Sequence, residues 1–84
     1  MPSRDVTVTE PEGLHARPAA VFCRAATRFE ADVRVEKNGA SASARSLLSV
    51  LQLDVRRGDL VTLIAEGSDA EEAVQALVDI LAPR

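Results

Sequence analysis

The sequence predicts an α+β fold, a two-layer sandwich in which amphipathic helices cover one face of an antiparallel sheet. Three observations predict it. Short stretches around Val6, Val33, Ala42 and Val61 alternate apolar and polar residues, the pattern of strands with one buried and one wet face. Stretches following Ala16, Ser46 and Ser68 repeat apolar residues at helical spacing, so each has a stripe to bury. Asn38-Gly39 joins two alternating stretches as a two-residue hairpin, because both residues tolerate positive φ. The order is strand, helix, strand, strand, helix, strand, helix, and the 84 residues are read as one domain, 1–84.

In chain order, Val6-Thr7-Val8-Thr9 is the first strand, with Val6 and Val8 inward, and Glu10-Pro11-Glu12-Gly13 is a turn. The first helix runs from about Ala16 to Arg28. Pro18 suits its first turn, where a missing N–H matters little. Ala19, Phe22, Ala26 and Phe29 form its buried stripe, leaving Arg24 and Arg28 one turn apart on the outer face. Cys23 is expected to be a small packed side chain with no thiol chemistry. Ala31 to Glu36 is the second strand, with Val33 and Val35 inward. Ala40 to Ala44 is the third, with a thin inner layer of Ala42 and Ala44.

Ser46 is the N-cap of a short helix through Leu53. This helix carries more leucine than one stripe needs. Leu47 and Leu51 stand one turn apart, as do Val50 and Leu53, and so small a domain is not expected to bury both pairs. One pair, with Leu48, forms an exposed apolar docking patch; core packing is the alternative. Asp54 to Asp59 is a loop turning at Gly58, and Leu60 to Glu66 is the fourth strand, with Val61, Leu63 and Ala65 inward. Ser68 and Glu71 match a reciprocal cap for the last helix, from about Asp69 to Leu81. Its stripe is Ala70, Ala73, Val74, Leu77 and Leu81, and Pro83 stops it. Thr7, Thr9, Arg34, Glu36, Ser41, Ser43 and Thr62 line the wet face of the sheet. Periodicity leaves the strand order open, a ferredoxin-like arrangement of the first six elements included.

Composition excludes several classes. A hydrophobic share of 46% is incompatible with a disordered chain. One cysteine permits no internal disulfide and fits a reducing compartment. No apolar run approaches the ~20 residues of a membrane span. The start, Met1-Pro2-Ser3-Arg4-Asp5, lacks the apolar core of a signal peptide, so the cytoplasm is the expected location. A net charge of −3 argues against nucleic-acid binding. Arg17, Arg24, Arg28, Arg45, Arg56 and Arg57, if several share a face, would suit an acidic protein partner; an ordinary charged surface is the alternative. One histidine and one cysteine are too few soft ligands for a metal, and no cofactor or substrate-sized pocket is implied.

The chemistry concentrates in Gly13-Leu14-His15-Ala16-Arg17-Pro18-Ala19-Ala20, which holds the only histidine. His15 precedes a helix start, where unpaired amides and the positive end of the helix dipole favour anions. Arg17 adds a permanently charged planar donor. Such a set suits a phosphoryl group held briefly and passed on; a plain surface histidine or weak cap is the bland alternative.

With His15 and Ser46 in place, the whole chain closely resembles HPr, the histidine-containing phosphocarrier family of the sugar phosphotransferase system. Gly13-Leu14-His15-Ala16-Arg17-Pro18-Ala19 looks like that family's active-site motif, Asn38-Gly39 like its central hairpin, and Arg45-Ser46-Leu47-Leu48 like its regulatory-serine segment. The resemblance implies an open-faced sandwich of strand order 1-4-2-3 with three helices on one side. It implies a carrier rather than an enzyme: His15 phosphorylated on Nδ1 by phospho-Enzyme I, Arg17 against the phosphate, and onward transfer to IIA domains of sugar permeases. Ser46 would be the target of an HPr kinase/phosphorylase. Leu47, Leu48 and Leu51, with Arg24 and Arg45, would be the docking surface of a monomer that works beside the membrane without entering it. Related readings are a carrier of a nitrogen-regulatory or dihydroxyacetone-kinase branch, and a binding module of this fold that never carries phosphate. The chain departs from the family pattern at Glu12, an acid close to the phosphate site, at Asp54, an added acid where glycine is common at the end of the second helix, and at Ser49 and Gln52 on that helix; Arg45, where lysine is frequent, keeps the charge.

Overall fold

A computed structural model describes residues 2–83; Met1 and Arg84, the ends of the expected domain, lie outside the described residues. The elements follow the expected order: β1 (Ser3–Thr7), α1 (Ala16–Ala26), β2 (Asp32–Lys37), β3 (Ala40–Ser43), α2 (Leu47–Gln52), β4 (Leu60–Glu66) and α3 (Ala70–Leu81). The strands form one antiparallel sheet in the order β1-β4-β2-β3. This resolves the strand order that periodicity left open. The helices pack against one another, α1 on both α2 and α3, and α3 against the sheet.

Alternation places the core where the sequence puts it. Val6, Val8, Val33, Val35, Ala42, Ala44, Val61, Leu63 and Ala65 are buried beneath Ala19, Phe22, Ala26, Val50, Ala73, Val74, Leu77 and Leu81 of the helices. The opposite face is wet: Thr62 donates to Asp5 at 2.7 Å, and Arg34 reaches the Ser41 hydroxyl across the β2–β3 pair. Ile64, on that face, pairs across the sheet with Ser3 and Arg34 and is half-buried. Asn38 and Gly39 both take positive φ, 51° and 84°, as the two-residue hairpin demands.

Four local expectations need correction. The first strand begins earlier, at Ser3, because backbone pairing with β4 runs from Ser3↔Ile64 to Thr7↔Leu60 whatever the polarity of Ser3, Arg4 and Asp5. Val8 and Thr9 leave the sheet: the Val8 N–H donates to the Asp59 carbonyl and the Thr9 N–H to the Leu81 carbonyl. Helix α1 closes at Ala26, earlier than expected. The Thr27 hydroxyl donates to the Arg24 carbonyl at 2.6 Å, and the Arg28 and Phe29 amides make i→i−3 bonds that tighten the end. Phe29 is therefore only partly buried against the core rather than part of the helix stripe. The reciprocal Ser68–Glu71 cap does not form among the described residues. Asp69 is the N-cap of α3, and its carboxylate accepts from the Glu30 and Ala31 amides at 2.9 and 2.8 Å, tying the loop before β2 to the start of α3.

Candidate functional site

The turn before α1 is set by one hydrogen bond of its own and one to a loop far along the chain. The Gly13 amide closes the turn on the Glu10 carbonyl, and the Leu14 amide donates to the Val55 carbonyl, both at 2.9 Å. Gly13 has φ 61°, and a Cβ there would lie 2.3 Å from the Val55 oxygen. Only glycine combines that conformation with so close an approach. The Leu14 side chain is fully buried and anchors the turn from beneath. Thus the residues before His15 lie flat against the Val55–Arg56 backbone.

His15 is the N-cap of α1 in extended conformation, φ −128° and ψ 163°, and its side chain makes no cap hydrogen bond. Ala16 follows at φ 53°, a left-handed conformation costing roughly 1–2 kcal/mol for a residue with a Cβ. Pro18 sits in the first turn as expected. The first-turn amides therefore lack a side-chain cap and face outward, at the positive end of the helix.

The imidazole is part-exposed, 41% for the side chain, and its Nε2 lies 3.0 Å from Oδ1 of Asp54. Asp54 is held on three sides. Arg56 binds its carboxylate twice, Nη2 to Oδ2 at 2.9 Å and Nε to Oδ1 at 3.2 Å. The Lys37 ammonium donates to its backbone carbonyl at 2.6 Å and to that of Leu53 at 3.4 Å, closing the end of α2, while pairing with Asp59 at 2.9 Å. Asp54 itself ends α2 at φ 54°. The hydrogen bond from Arg56 is the largest influence on the Asp54 carboxyl; together with the Arg56 charge and the contact with His15 it outweighs the opposing effect of burial and holds the group below the usual carboxylate range.

Arg17 is exposed and lines a shallow groove with Glu10, Glu12, Ala16, Pro18, Val21, Asp79, Ile80 and Pro83. Glu12 is on this side, with Arg17. Among the described residues Arg17, Arg24 and Arg28 make no ion pair; Arg17, Val21 and Arg24 form one exposed stripe of α1, and Arg28, also exposed, lies just past its end. Ser46 caps α2: its hydroxyl oxygen accepts from the Ser49 amide at 3.3 Å and its hydroxyl donates to the Ser49 hydroxyl at 3.0 Å. Leu47 and Leu48 are exposed, at 44% and 67%, Leu51 is half-buried, and Val50 is fully buried, so the leucine-rich helix divides into a wet pair and a dry residue. Arg45 is anchored instead of reaching outward. Its guanidinium pairs with Asp32 at 3.1 Å and takes the carbonyls of Phe29, Glu30 and Ala31. Cys23 is buried, and burial pushes its thiol up.

Helix α2 connects the two sites. Ser46 caps its start, and Asp54, two residues past its last helical residue, stands beside the imidazole. Sequence reading singled out Asp54 only as an extra acid and passed over Lys37 and Val55. No local signal marks them, because their partners lie many residues away. Among the described residues no group of three or more His, Cys, Asp and Glu side chains gathers as a metal site. Among the described residues no helix is long and apolar enough to cross a membrane.

Against models of known protein families, residues 2–82 match the one described as the PTS HPr component phosphorylation site. The phosphocarrier protein HPr of Vibrio cholerae is 46% identical over 81 residues, 96% of this chain and 95% of that one. The crystal structure of an HPr from Bacillus anthracis superposes with a TM-score of 0.93 at 41% identity, covering 95% of each chain. Crh of Bacillus subtilis, a catabolite repression protein solved as a domain-swapped dimer, superposes with a TM-score of 0.77 at 42% identity, over 96% of this chain and 93% of that one.

Proposed function

The chain belongs to the HPr family, the phosphocarriers of the sugar phosphotransferase system, and from that premise we propose that His15 is its phosphoryl-carrying residue. Nδ1 attacks the phosphorus of the phosphohistidine on Enzyme I. The donor P–N bond breaks as the P–Nδ1 bond forms, and the reverse exchange delivers the group to a histidine of a IIA domain. The single observation that supports this is a part-exposed imidazole at an uncapped helix start, with an exposed arginine two residues on that makes no ion pair among the described residues. Attack needs a ring nitrogen with its lone pair directed outward. The first-turn amides and Arg17 stabilise the phosphoryl oxygens without a metal, and exposure to water keeps the group transferable. A regulatory module that never carries phosphate has no use for such an imidazole.

The stripe of Arg17, Val21, Arg24 and Arg28 with Leu47, Leu48 and Leu51 is a mixed basic and apolar face suited to acidic partner domains. Arg45, being anchored on Asp32, supports this face from the side rather than donating its charge to it. Ser46 is read as a regulatory phosphorylation site for an HPr kinase/phosphorylase. Modification adds roughly −2 charge beside Leu47 and Leu48 at the start of α2, which disfavours an acidic partner while sparing the fold. We read the chain as a cytoplasmic monomer, since pairing through the apolar face would compete with docking. A concentration-independent monomer mass in solution is expected, whereas an intertwined dimer of the Crh kind contradicts it.

The test is incubation with phosphoenolpyruvate and Enzyme I. Wild type is expected to gain one acid-labile phosphate and His15→Ala none; an unlabelled wild type or a labelled His15→Ala overturns the assignment. Ser46→Asp is expected to slow the same transfer, and an unchanged rate reduces Ser46 to a helix cap.

A further inference from the structure

Asp54 stands on the far side of the imidazole from the nitrogen that attacks. Its Oδ1 lies 3.0 Å from Nε2, the ring position opposite Nδ1, so the carboxylate faces the proton-bearing edge of the ring rather than the incoming phosphoryl group. A carboxylate accepts and cannot donate, so a hydrogen bond here requires the proton to sit on Nε2. Resting on the carrier reading above, we propose that Asp54 is a positioning residue for His15: it accepts the Nε2–H, holds the tautomer that leaves the Nδ1 lone pair outward, and compensates the ring when Nδ1 carries phosphate.

The surroundings are built for such a role. Arg56 fixes both carboxylate oxygens, Lys37 fixes the Asp54 carbonyl, and the Leu14–Val55 hydrogen bond fixes the backbone of the turn that carries His15 to the backbone beside Asp54. The acceptor and the ring thus belong to loops already joined through their main chains. The charged groups around the imidazole are Asp54 and, through it, Arg56 from the loop after α2. Lys37 from β2 is occupied by carbonyls and Asp59, and Arg17 from α1 lies in the groove with Glu10 and Glu12. Asp54 is the one acid in contact with the ring among the described residues.

The chemistry follows from a ring nitrogen's two options as leaving group. When the P–Nδ1 bond breaks, its electron pair returns to Nδ1. If Nε2 keeps its proton, the departing group is neutral imidazole; if not, it is imidazolate, a far poorer leaving group. No proton is gained or lost across the exchange when Asp54 keeps Nε2–H in place. A carboxylate at the second nitrogen orients the ring and stabilises its cationic form without itself taking the proton. Asp54 is then a gain over a residue without a side chain at this position, not a repulsive neighbour of the phosphate.

The experiment compares wild type, Asp54→Asn and Asp54→Gly, each labelled with 15N and phosphorylated by phosphoenolpyruvate and Enzyme I. Asp54→Asn keeps an acceptor and loses the charge; Asp54→Gly loses both and relieves the positive φ. Wild type is expected to show a slowly exchanging Nε2–H signal for His15 that Asp54→Gly lacks. Return of the phosphoryl group to Enzyme I on adding pyruvate is expected to slow on the order of tenfold in Asp54→Gly, with Asp54→Asn between. The alkaline limb of the rate profile is expected to move to lower pH in both variants. Asp54→Gly is expected to melt no lower than wild type, which separates the loss from unfolding. Equal rates and profiles in all three forms, or no protected Nε2–H in wild type, overturn the inference. A wild type that takes no phosphate overturns the carrier reading instead, while the Nε2–H signal still decides the contact.

Discussion

Helices α1 and α2 begin on residues of opposite habit. Ser46 turns its hydroxyl back on α2, accepting the Ser49 amide. His15 turns away from α1 and makes no cap bond at all. The first end satisfies its amides locally and is stabilised by its own side chain. The second keeps its amides for something outside and must be held by other means: the Gly13 approach to Val55, the Leu14 amide, and Asp54 on the ring. One helix end is closed and structural; the other is open, slightly strained at Ala16, and available to an anion.

The comparison is broken most severely at the brace of the open end. Gly13→Ala places a Cβ against the Val55 carbonyl at a positive φ, and a loss of about 3 kcal/mol is expected, read as a lower urea midpoint. Its phosphate uptake should fall with it, since the turn carrying His15 is displaced. The closed end is expected to cost less. Ser46→Ala should lose about 1 kcal/mol, seen as a melting point lower by roughly 5 °C, with phosphate uptake retained. The open end itself should cost least in stability: His15→Ala is expected to stay within about 0.5 kcal/mol of wild type while losing all uptake, because no cap is removed. If His15→Ala melted as far below wild type as Ser46→Ala, the two ends would be alike after all.

The third helix start sharpens the contrast through pH. The Glu30 amide, then that of Ala31, holds the Asp69 carboxyl below its ordinary value of 3.8. A depressed folded value means that its contribution is present above pH 3.8 and is lost as pH falls below it, toward the folded value. Asp69→Asn should therefore lower the urea midpoint at neutral pH, and the gap to wild type should shrink as the pH falls below 3.8. A gap that is constant with pH would assign the effect to shape rather than charge. The pH-dependent part of this change is expected to be small, because the carboxylate is part-exposed.

Much of this was legible before any coordinates. The four strands, the Asn38-Gly39 hairpin, the Ser46 cap and the position of His15 at a helix start all rest on interactions within a few residues. Periodicity of 2 or 3.6 also sorts buried from wet side chains, as Val33, Val35, Phe22 and Leu77 show. Two of the misreadings share one cause. Ser68 and Glu71 have the spacing of a reciprocal cap, yet the next residue, Asp69, takes the cap position and turns its carboxylate to the loop before β2. Arg45 reads as an outward charge, yet it closes the carbonyls of Phe29, Glu30 and Ala31. In each, a local pattern was overridden by a partner at a distance.

Near neighbours along the chain dictate which segments are strands and helices, which faces are apolar, and that one imidazole stands where a helix begins, so all three can be read from residue order. The tertiary structure decided the partner of that imidazole, a carboxylate 39 residues further on, and it bears out the β1-β4-β2-β3 order that the family resemblance implied and periodicity left open. Such contacts follow from how loops are set against one another by the buried core and by backbone hydrogen bonds such as Leu14 to Val55, and no period along the chain encodes that geometry.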